Sequence, residues 1–214
     1  MKINFIEDRK PVLAHNAFDG ESEYWAKFRG DSTDNLNPNK KSTASKDPNN
    51  PQVMTTVKHN IIAYFVEDKL PTATVLDIGC GVGRMSLFYK IGSYWGIDTT
   101  PAMISKAKKL NKKNTSTFIL GDGTTLKQFT NNKFDYVFCS TVMLHLKIGT
   151  VRRYAKEVYR VLKEHGAFIV NFPNKSNLKL IESIFSKHFN IYILDSNYCG
   201  TDTVYNFVKR KNHE

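Results

Sequence analysis

The sequence predicts an α/β fold built around one mostly parallel sheet, and three observations carry that prediction. Short apolar runs recur at 73–78, 93–97, 117–120, 134–139 and 167–171. Segments with helical periodicity, 85–90, 102–111 and 151–163, lie between several of them. Strands that alternate with helices pair in parallel, because each crossover helix returns the chain to the same end of the sheet. The C-terminal end differs. A helical segment at 177–187 is followed by strand-like runs at 189–194 and 203–209. Only a loop, 195–202, separates those two runs. They should form an antiparallel pair at one edge of the sheet.

Taken in chain order, residues 1–50 form an N-terminal cap or lid segment and 51–214 the main domain. The stretch 31–50 is dense in Asn, Asp, Ser, Lys and Pro and too poor in large apolar residues to bury much surface. It reads as a loop or lid. Tyr24, Trp25 and Phe28 precede it as an aromatic cluster at near-helical spacing. Asn50 and Pro51 suit the cap and first residue of a helix, with Val53, Met54, Val57, Ile61, Ile62 and Phe65 at helical period and Pro71 ending the connection. Thr100 followed by Pro101 is a second helix start. Gly166, soon after the basic turn Arg160-Val161-Leu162-Lys163, reads as a helix stop. Asp135 is expected to be a structural residue at the entry of its strand.

Bulk properties narrow the function classes. The 214 residues are 41% apolar, enough to form a core. No apolar run is long enough to span a bilayer, and the start at Met1 lacks a signal-peptide pattern. Cys80, Cys139 and Cys199 are odd in number and widely spaced, which disfavours a disulfide framework. No Cys/His spacing resembles a zinc site, so no metal is expected. A cytoplasmic protein is the expectation. The net charge of +11 favours an acidic or phosphorylated partner and keeps nucleic acid open as a second reading. Its lysines far outnumber its arginines, the better groove readers.

The chemistry concentrates in Val75-Leu76-Asp77-Ile78-Gly79-Cys80-Gly81-Val82-Gly83-Arg84, a buried strand running through a glycine-rich turn into a helix. Such a turn lets backbone approach a ligand closely, with helix amides aimed at it. The glycines fall at 79, 81 and 83. A dinucleotide fingerprint needs its third glycine where Arg84 stands, and a phosphate-binding P-loop needs a Lys-Ser/Thr ending that is absent. Two further strands end in carboxylates, at Asp98 and at Gly121-Asp122-Gly123. Asp98 lies about 20 residues past the turn, where a carboxylate can accept hydrogen bonds from ribose hydroxyls. Asp122 would come within reach of an adenine amino group. Three successive strands thus deliver candidate ligand groups to one rim of the sheet, where open α/β sheets bind ligands.

The blocks D-I-G-C-G-V-G-R, G-I-D, G-D-G, F-D-Y-V-F-C-S-T-V-M-L-H-L and E-V-Y-R-V-L-K-E-H-G-A-F occur here in that order. The order resembles the class I S-adenosylmethionine-dependent methyltransferases, most of all the branch containing ubiquinone- and menaquinone-biosynthesis methyltransferases. The resemblance spans roughly 54–208. It implies a Rossmann-like, seven-stranded, mostly parallel sheet with an antiparallel edge strand and helices on both faces. It implies S-adenosylmethionine as cofactor and S-adenosylhomocysteine as product. By position, Gly79, Cys80 and Gly81 would back the methionine part, and Asp77 would help hold its amino group. Asp98 and Thr99 would serve the ribose, and Met103 would pack on the adenine. Asp122 would face the adenine amino group, with Gly121 and Gly123 beside it, and Ser140 would lie near the sulfonium. The family's proline before Gly166 is replaced by Glu164-His165, which should alter the turn and not the chemistry.

Methyl transfer from a sulfonium chiefly needs alignment of the acceptor. A hydroxyl acceptor also gains from a base. His145 follows the fourth strand and titrates near neutral pH, so it is the candidate base. Its other reading is a histidine packed on the next helix. Tyr24, Trp25 and Phe28 would close over the cofactor or pack on the sheet edge. The expected function is methylation of a small-molecule acceptor, oxygen favoured. The rivals are a nucleic-acid or protein methyltransferase, and a non-catalytic cofactor-binding subunit. Cys139-Ser140-Thr141-Val142 lacks the Asn/Asp-Pro-Pro-aromatic turn of base-amine methyltransferases, and lacks the acidic residues that aminopropyl transfer would use.

Overall fold

The computed structural model describes residues 62–112, 115–174, 176–198 and 202–211. The aromatic cluster Tyr24, Trp25 and Phe28, the 31–50 segment, the domain boundary at 50 and Cys199 lie outside the described residues. Seven strands form one sheet: β1 Thr74–Ile78, β2 Ser93–Asp98, β3 Ser116–Leu120, β4 Phe134–Cys139, β5 Leu162–Pro173, β6 Phe189–Tyr198 and β7 Asp202–Lys209. Their spatial order is β3-β2-β1-β4-β5-β7-β6. The pairings β3–β2, β2–β1, β1–β4 and β4–β5 are parallel, and β5–β7 and β7–β6 are antiparallel. The expected fold class is thus present. The antiparallel strand β7 is inserted between β5 and the outermost strand β6, so the hairpin docks through its second arm.

Alternation along the strands assigns each side chain to one of two core layers. Leu76 and Ile78, Val137 and Cys139, and Phe168, Val170 and Phe172 pack on one face. That face is covered by α3 Ile148–Val161 and α4 Leu178–Phe185. Val75, Tyr94, Phe138 and Ile169 point the other way. There they meet a 3-10 helix, Ile62–Thr72, together with α1 Arg84–Phe88 and α2 Pro101–Leu110. Helices therefore cover both faces. Thr100 stands at the N-cap position of α2, without a side-chain capping hydrogen bond, and Pro101 opens the helix, as the sequence predicts. Only the end of the helix expected from residue 51 is described. It is kinked at Val66 and carries Pro71 inside it, so Pro71 does not end it. Cys80 and Cys139 are buried and form no disulfide.

Two boundaries differ from the sequence reading. Gly166 is not the stop of α3. That helix ends at Val161, and Leu162 already pairs with Phe134 in the sheet. Both of those side chains are fully buried, and that burial outweighs helical continuation. Register then jumps to Tyr136↔Ala167. His165 takes up the extra length at φ 60°. Gly166 is required there because a Cβ would lie 2.9 Å from the Lys163 carbonyl oxygen. Asp135 anchors this bulge: its carboxylate accepts from the Thr74 amide (2.8 Å) and pairs with Lys163 Nζ (2.9 Å). Second, the 195–202 loop is shorter than expected, because β6 continues to Tyr198. Its register slips at Asp195, which accepts the Asn197 amide at 2.8 Å. Polar residues that read as a loop are tolerated in a bulged outer strand.

The sheet's β7 side is held by stacked aromatic rings. Phe207 and Phe185 lie 4.4 Å apart at 17°, with Phe168, Tyr205 and Phe189 around them. Phe207 is fully buried. Replacing it with alanine should lower unfolding free energy by about 3–5 kcal/mol, from lost transfer energy plus the residual cavity. Urea unfolding followed by circular dichroism would measure this, and a change below about 1 kcal/mol would mean the hairpin is not an integral part of the core.

Candidate functional site

The strand β1 ends in a turn that no ordinary backbone could follow. Gly79, Gly81 and Gly83 all have positive φ, at 71°, 53° and 76°. The end of β2 holds this turn. The amides of Gly79 and Cys80 both donate to the Ile97 carbonyl, at 2.8 and 3.1 Å. The Gly81 amide donates to Asp98 Oδ2 at 3.0 Å, and the Thr100 amide to Asp98 Oδ1 at 2.8 Å. The three glycines do different work. A Cβ at Gly83 would lie 2.7 Å from the Phe118 ring and 2.8 Å from Asn111 Nδ2, so the turn is packed tight at that point. A Cβ at Gly79 would run into Val142. A Cβ at Gly81 would meet nothing within 4 Å, so it would project into open space.

That space is a cavity at the carboxyl ends of β1, β2 and β4. Nine of the residues picked out in the sequence line it: Gly79, Gly81, Asp98, Thr99, Met103, Gly121, Gly123, Ser140 and His145. Met103 is thus a wall residue as well as a buried one. His145 ends the short 3-10 turn Met143–His145 and is half-buried.

Asp77, Cys80 and Asp122 are not among the lining residues. Asp77 is buried behind the glycine turn, where Tyr94 Oη donates to its Oδ2 at 2.6 Å. Burial pushes its carboxyl up from 3.8 to about 7, with the Tyr94 hydrogen bond working against the rise and the Asp98 charge adding to it. The reason lies in strand alternation: Asp77 shares the face of Val75, which lies under the helices, whereas Ile78 reaches the cavity. Cys80 points into the same layer, and burial raises its thiol well above the ordinary range. Asp122 is exposed and caps its own turn. It accepts from the Thr124 and Thr125 amides at 2.8 and 2.7 Å and from the Thr125 hydroxyl at 2.6 Å. Slight burial would raise this carboxyl, but the hydrogen bonds from Thr125 and Thr124 outweigh it and hold it low, at about 2. Asp98 shifts the other way: burial raises it, and the amides of Thr100 and Gly81 hold the rise back.

Sequence reasoning missed three contributors. Tyr154 reaches the cavity wall from the buried stripe of α3. Its signal was a tyrosine in a stripe otherwise aliphatic or small. Thr100 lines the cavity as well as standing at the N-cap position of α2. Asn111, buried at the end of α2, braces the glycine turn from behind. Its Nδ2 donates to the Val82 carbonyl at 3.1 Å and to the Ala107 carbonyl at 2.9 Å. Ser86 Oγ approaches both Asn111 Oδ1 (2.5 Å) and the Gly83 carbonyl (3.0 Å). In sequence Asn111 stands beside Lys112 and Lys113 with nothing local to mark it.

Comparison with known proteins agrees with this fold. Residues 76–170 match the methyltransferase domain family. The chain is 33% identical over 107 residues to cycloartenol-C-24-methyltransferase 1 of Oryza sativa, covering 47% of this chain and 30% of that protein. It is 34% identical over 104 residues to 2-methyl-6-phytyl-1,4-hydroquinone methyltransferase of Synechocystis, covering 47% and 32%. It is 33% identical over 103 residues to demethylmenaquinone methyltransferase of Leptospira interrogans, covering 44% and 41%. The matches thus span well under half the length of these relatives. Among solved structures, the YcgJ protein of Bacillus subtilis superposes with a TM-score of 0.61 at 17% identity, covering 72% of this chain and 99% of that one. A TehB-like S-adenosylmethionine-dependent methyltransferase of Corynebacterium glutamicum superposes with a TM-score of 0.58 at 21% identity, covering 70% and 87%.

The buried Asp77 carboxyl should leave a pH signature. Its folded value is raised, so the folded state holds the proton more tightly than the unfolded chain. That stability is fully present below about pH 4 and lost as pH rises through about 7. Asp77→Asn keeps an acceptor for Tyr94 and removes the titration. Urea midpoints should therefore favour Asp77→Asn over wild type increasingly from pH 4 to pH 8. Parallel pH profiles would show that the carboxyl is not held protonated.

Proposed function

We propose that this chain, which carries a methyltransferase domain on the class I S-adenosylmethionine-dependent fold, transfers a methyl group from S-adenosylmethionine to a small-molecule acceptor, with oxygen the favoured atom. The observation that carries the reading is convergence. The glycine turn, Asp98, Met103 and the wall from Ser140 to His145 come from separate elements to one cavity.

The residues present fit this cofactor. The open space beyond Gly81 is a cradle that any side chain would fill. Asp98 Oδ2 accepts the Gly81 amide and Oδ1 the Thr100 amide, and a carboxylate offers about four acceptor sites, so it could also accept from ribose hydroxyls. Those amides also favour the ionised form that such acceptance needs. Met103 and Ile97 offer apolar surface for an adenine ring. Thr99 and Gly121 to Gly123 close the nucleoside end, with Asp122 shaping that turn from outside rather than touching adenine. Asp77 would then back the glycine turn through Tyr94 instead of holding the cofactor's amino group directly.

When bound, S-adenosylmethionine supplies a methyl group already activated on a positively charged sulfur. The chain's part is placement and proton management. Ser140 would sit beside the sulfur. Val142, Leu146 and Tyr154 give the cavity's other wall an apolar surface that excludes water. Three of the relatives are named for cycloartenol, a phytyl hydroquinone and demethylmenaquinone, which supports a small-molecule acceptor. His145 would take the proton from an acceptor hydroxyl.

Calorimetric titration with S-adenosylmethionine and then S-adenosylhomocysteine is the direct test. Micromolar binding of both is expected, and binding of neither overturns the reading. Asp98→Ala should weaken both by about tenfold or more, the scale of losing hydrogen bonds to a charged group. Unchanged affinity would remove Asp98 from the ribose site. Once an acceptor is identified, His145→Ala should cut turnover about 100-fold with cofactor affinity kept; near-normal turnover would leave the histidine a packing role.

A further inference from the structure

Among the described residues, non-glycine positions with positive φ are Asn132, Thr141 and His165. Asn132 is of a type that tolerates this region, and His165 belongs to the β5 bulge. Thr141, at φ 59°, is different. It is β-branched, so the left-handed region crowds its side chain against its own backbone, and it lines the cavity. Such a conformation persists only where the surroundings impose it.

The imposing group is Asn171, on β5 and 2% exposed. Its Oδ1 accepts the Thr141 amide at 2.8 Å, and its Nδ2 donates to Asp202 Oδ2 at 2.6 Å. Asp202 begins β7, diagonal to Asn171 across the β5–β7 pairing. The carboxylate fixes which way the Asn171 amide faces, because it can only accept. The next residue, Val142, is where a Cβ on Gly79 would collide, so the turn after β4 abuts the glycine turn. The Val142 carbonyl in turn accepts the His145 amide at 2.9 Å.

We infer that Asp202 and Asn171 form a positioning pair for the cavity: they hold Thr141 in its left-handed conformation and thereby set the Ser140–His145 wall against the glycine turn. The inference rests on the reading of this cavity as the S-adenosylmethionine site. Neither residue touches the cavity itself. They act through Thr141.

The test combines affinity for S-adenosylhomocysteine with amide deuterium exchange. Asn171→Leu keeps the branching at Cγ and removes both hydrogen bonds. It should lower affinity at least tenfold and speed exchange at 140–146, while exchange in β1–β3 stays as in wild type. Asn171→Asp alone sets two carboxylates against each other and should behave the same way. Adding Asp202→Asn to Asn171→Asp restores the pattern with the donor and acceptor exchanged, and should return both readouts to within about threefold of wild type. The swap also decides the matter if Asn171→Leu does not fold. Affinity kept in Asn171→Leu, affinity lost without faster exchange at 140–146, or a swap no better than Asn171→Asp alone would each overturn the inference. If wild type binds no S-adenosylhomocysteine, the cofactor reading falls, and exchange at 140–146 in the variants alone then decides whether the pair holds the turn.

Discussion

Four backbone amides converge on the end of β2, and the rest of the site depends on that convergence. Gly79 and Cys80 donate to the Ile97 carbonyl, while Gly81 and Thr100 donate to the Asp98 carboxylate. A carboxylate at the half-buried end of a strand is costly unless its charge is met. Here it is met by amides that belong to the two turns it organises. One of them is the left-handed glycine turn after β1, and the other is the start of α2 at Pro101. The same bonds that make Asp98 tolerable therefore bring the glycine turn and Met103 to one cavity.

Support for this arrangement comes from behind. Asn111 and Ser86 tie the carbonyls of Val82 and Gly83 to the end of α2, so the turn is braced on its helix side as well as on its strand side. Phe118 fills the space next to Gly83, which makes glycine obligatory there for packing as well as for φ. The wall facing the turn is held differently. Its constraint runs through β5 and β7, so the antiparallel hairpin contributes to the cavity although none of its residues lines it. The aromatic stack around Phe207 gives that hairpin the rigidity needed to act at a distance.

Much of this was legible in the chain. Apolar runs and helical periods located all seven strands, and the order of motifs named the rim where the cavity lies. Glycines at 79, 81 and 83 and carboxylates at strand ends identified the elements that meet there. Asp77 and Asp122, which the resemblance implies as cofactor contacts, do not line the cavity. A strand's alternation sends Asp77 under the helices to Tyr94, and the two threonines after Asp122 turn its carboxylate back on its own loop. Asn111 and Asn171 carried no local signal, because an asparagine's role depends on which carbonyl or amide the fold brings beside it.

The sequence by itself determined the backbone plan: which segments pair, which face of each is apolar, and where left-handed turns are possible. These are properties of period and residue type, set within a few positions of each residue. Only the tertiary structure decided which of the polar groups at the rim face the cavity and which are consumed in holding it. Asp122 apart, that choice depends on partners 17 to 30 positions away, as with Tyr94 for Asp77, Asn111 for Val82 and Asn171 for Thr141. Hydrogen bonds are directional and short, so a residue's chemistry follows from whichever group the fold sets within about 3 Å of it, and no local pattern records that neighbour.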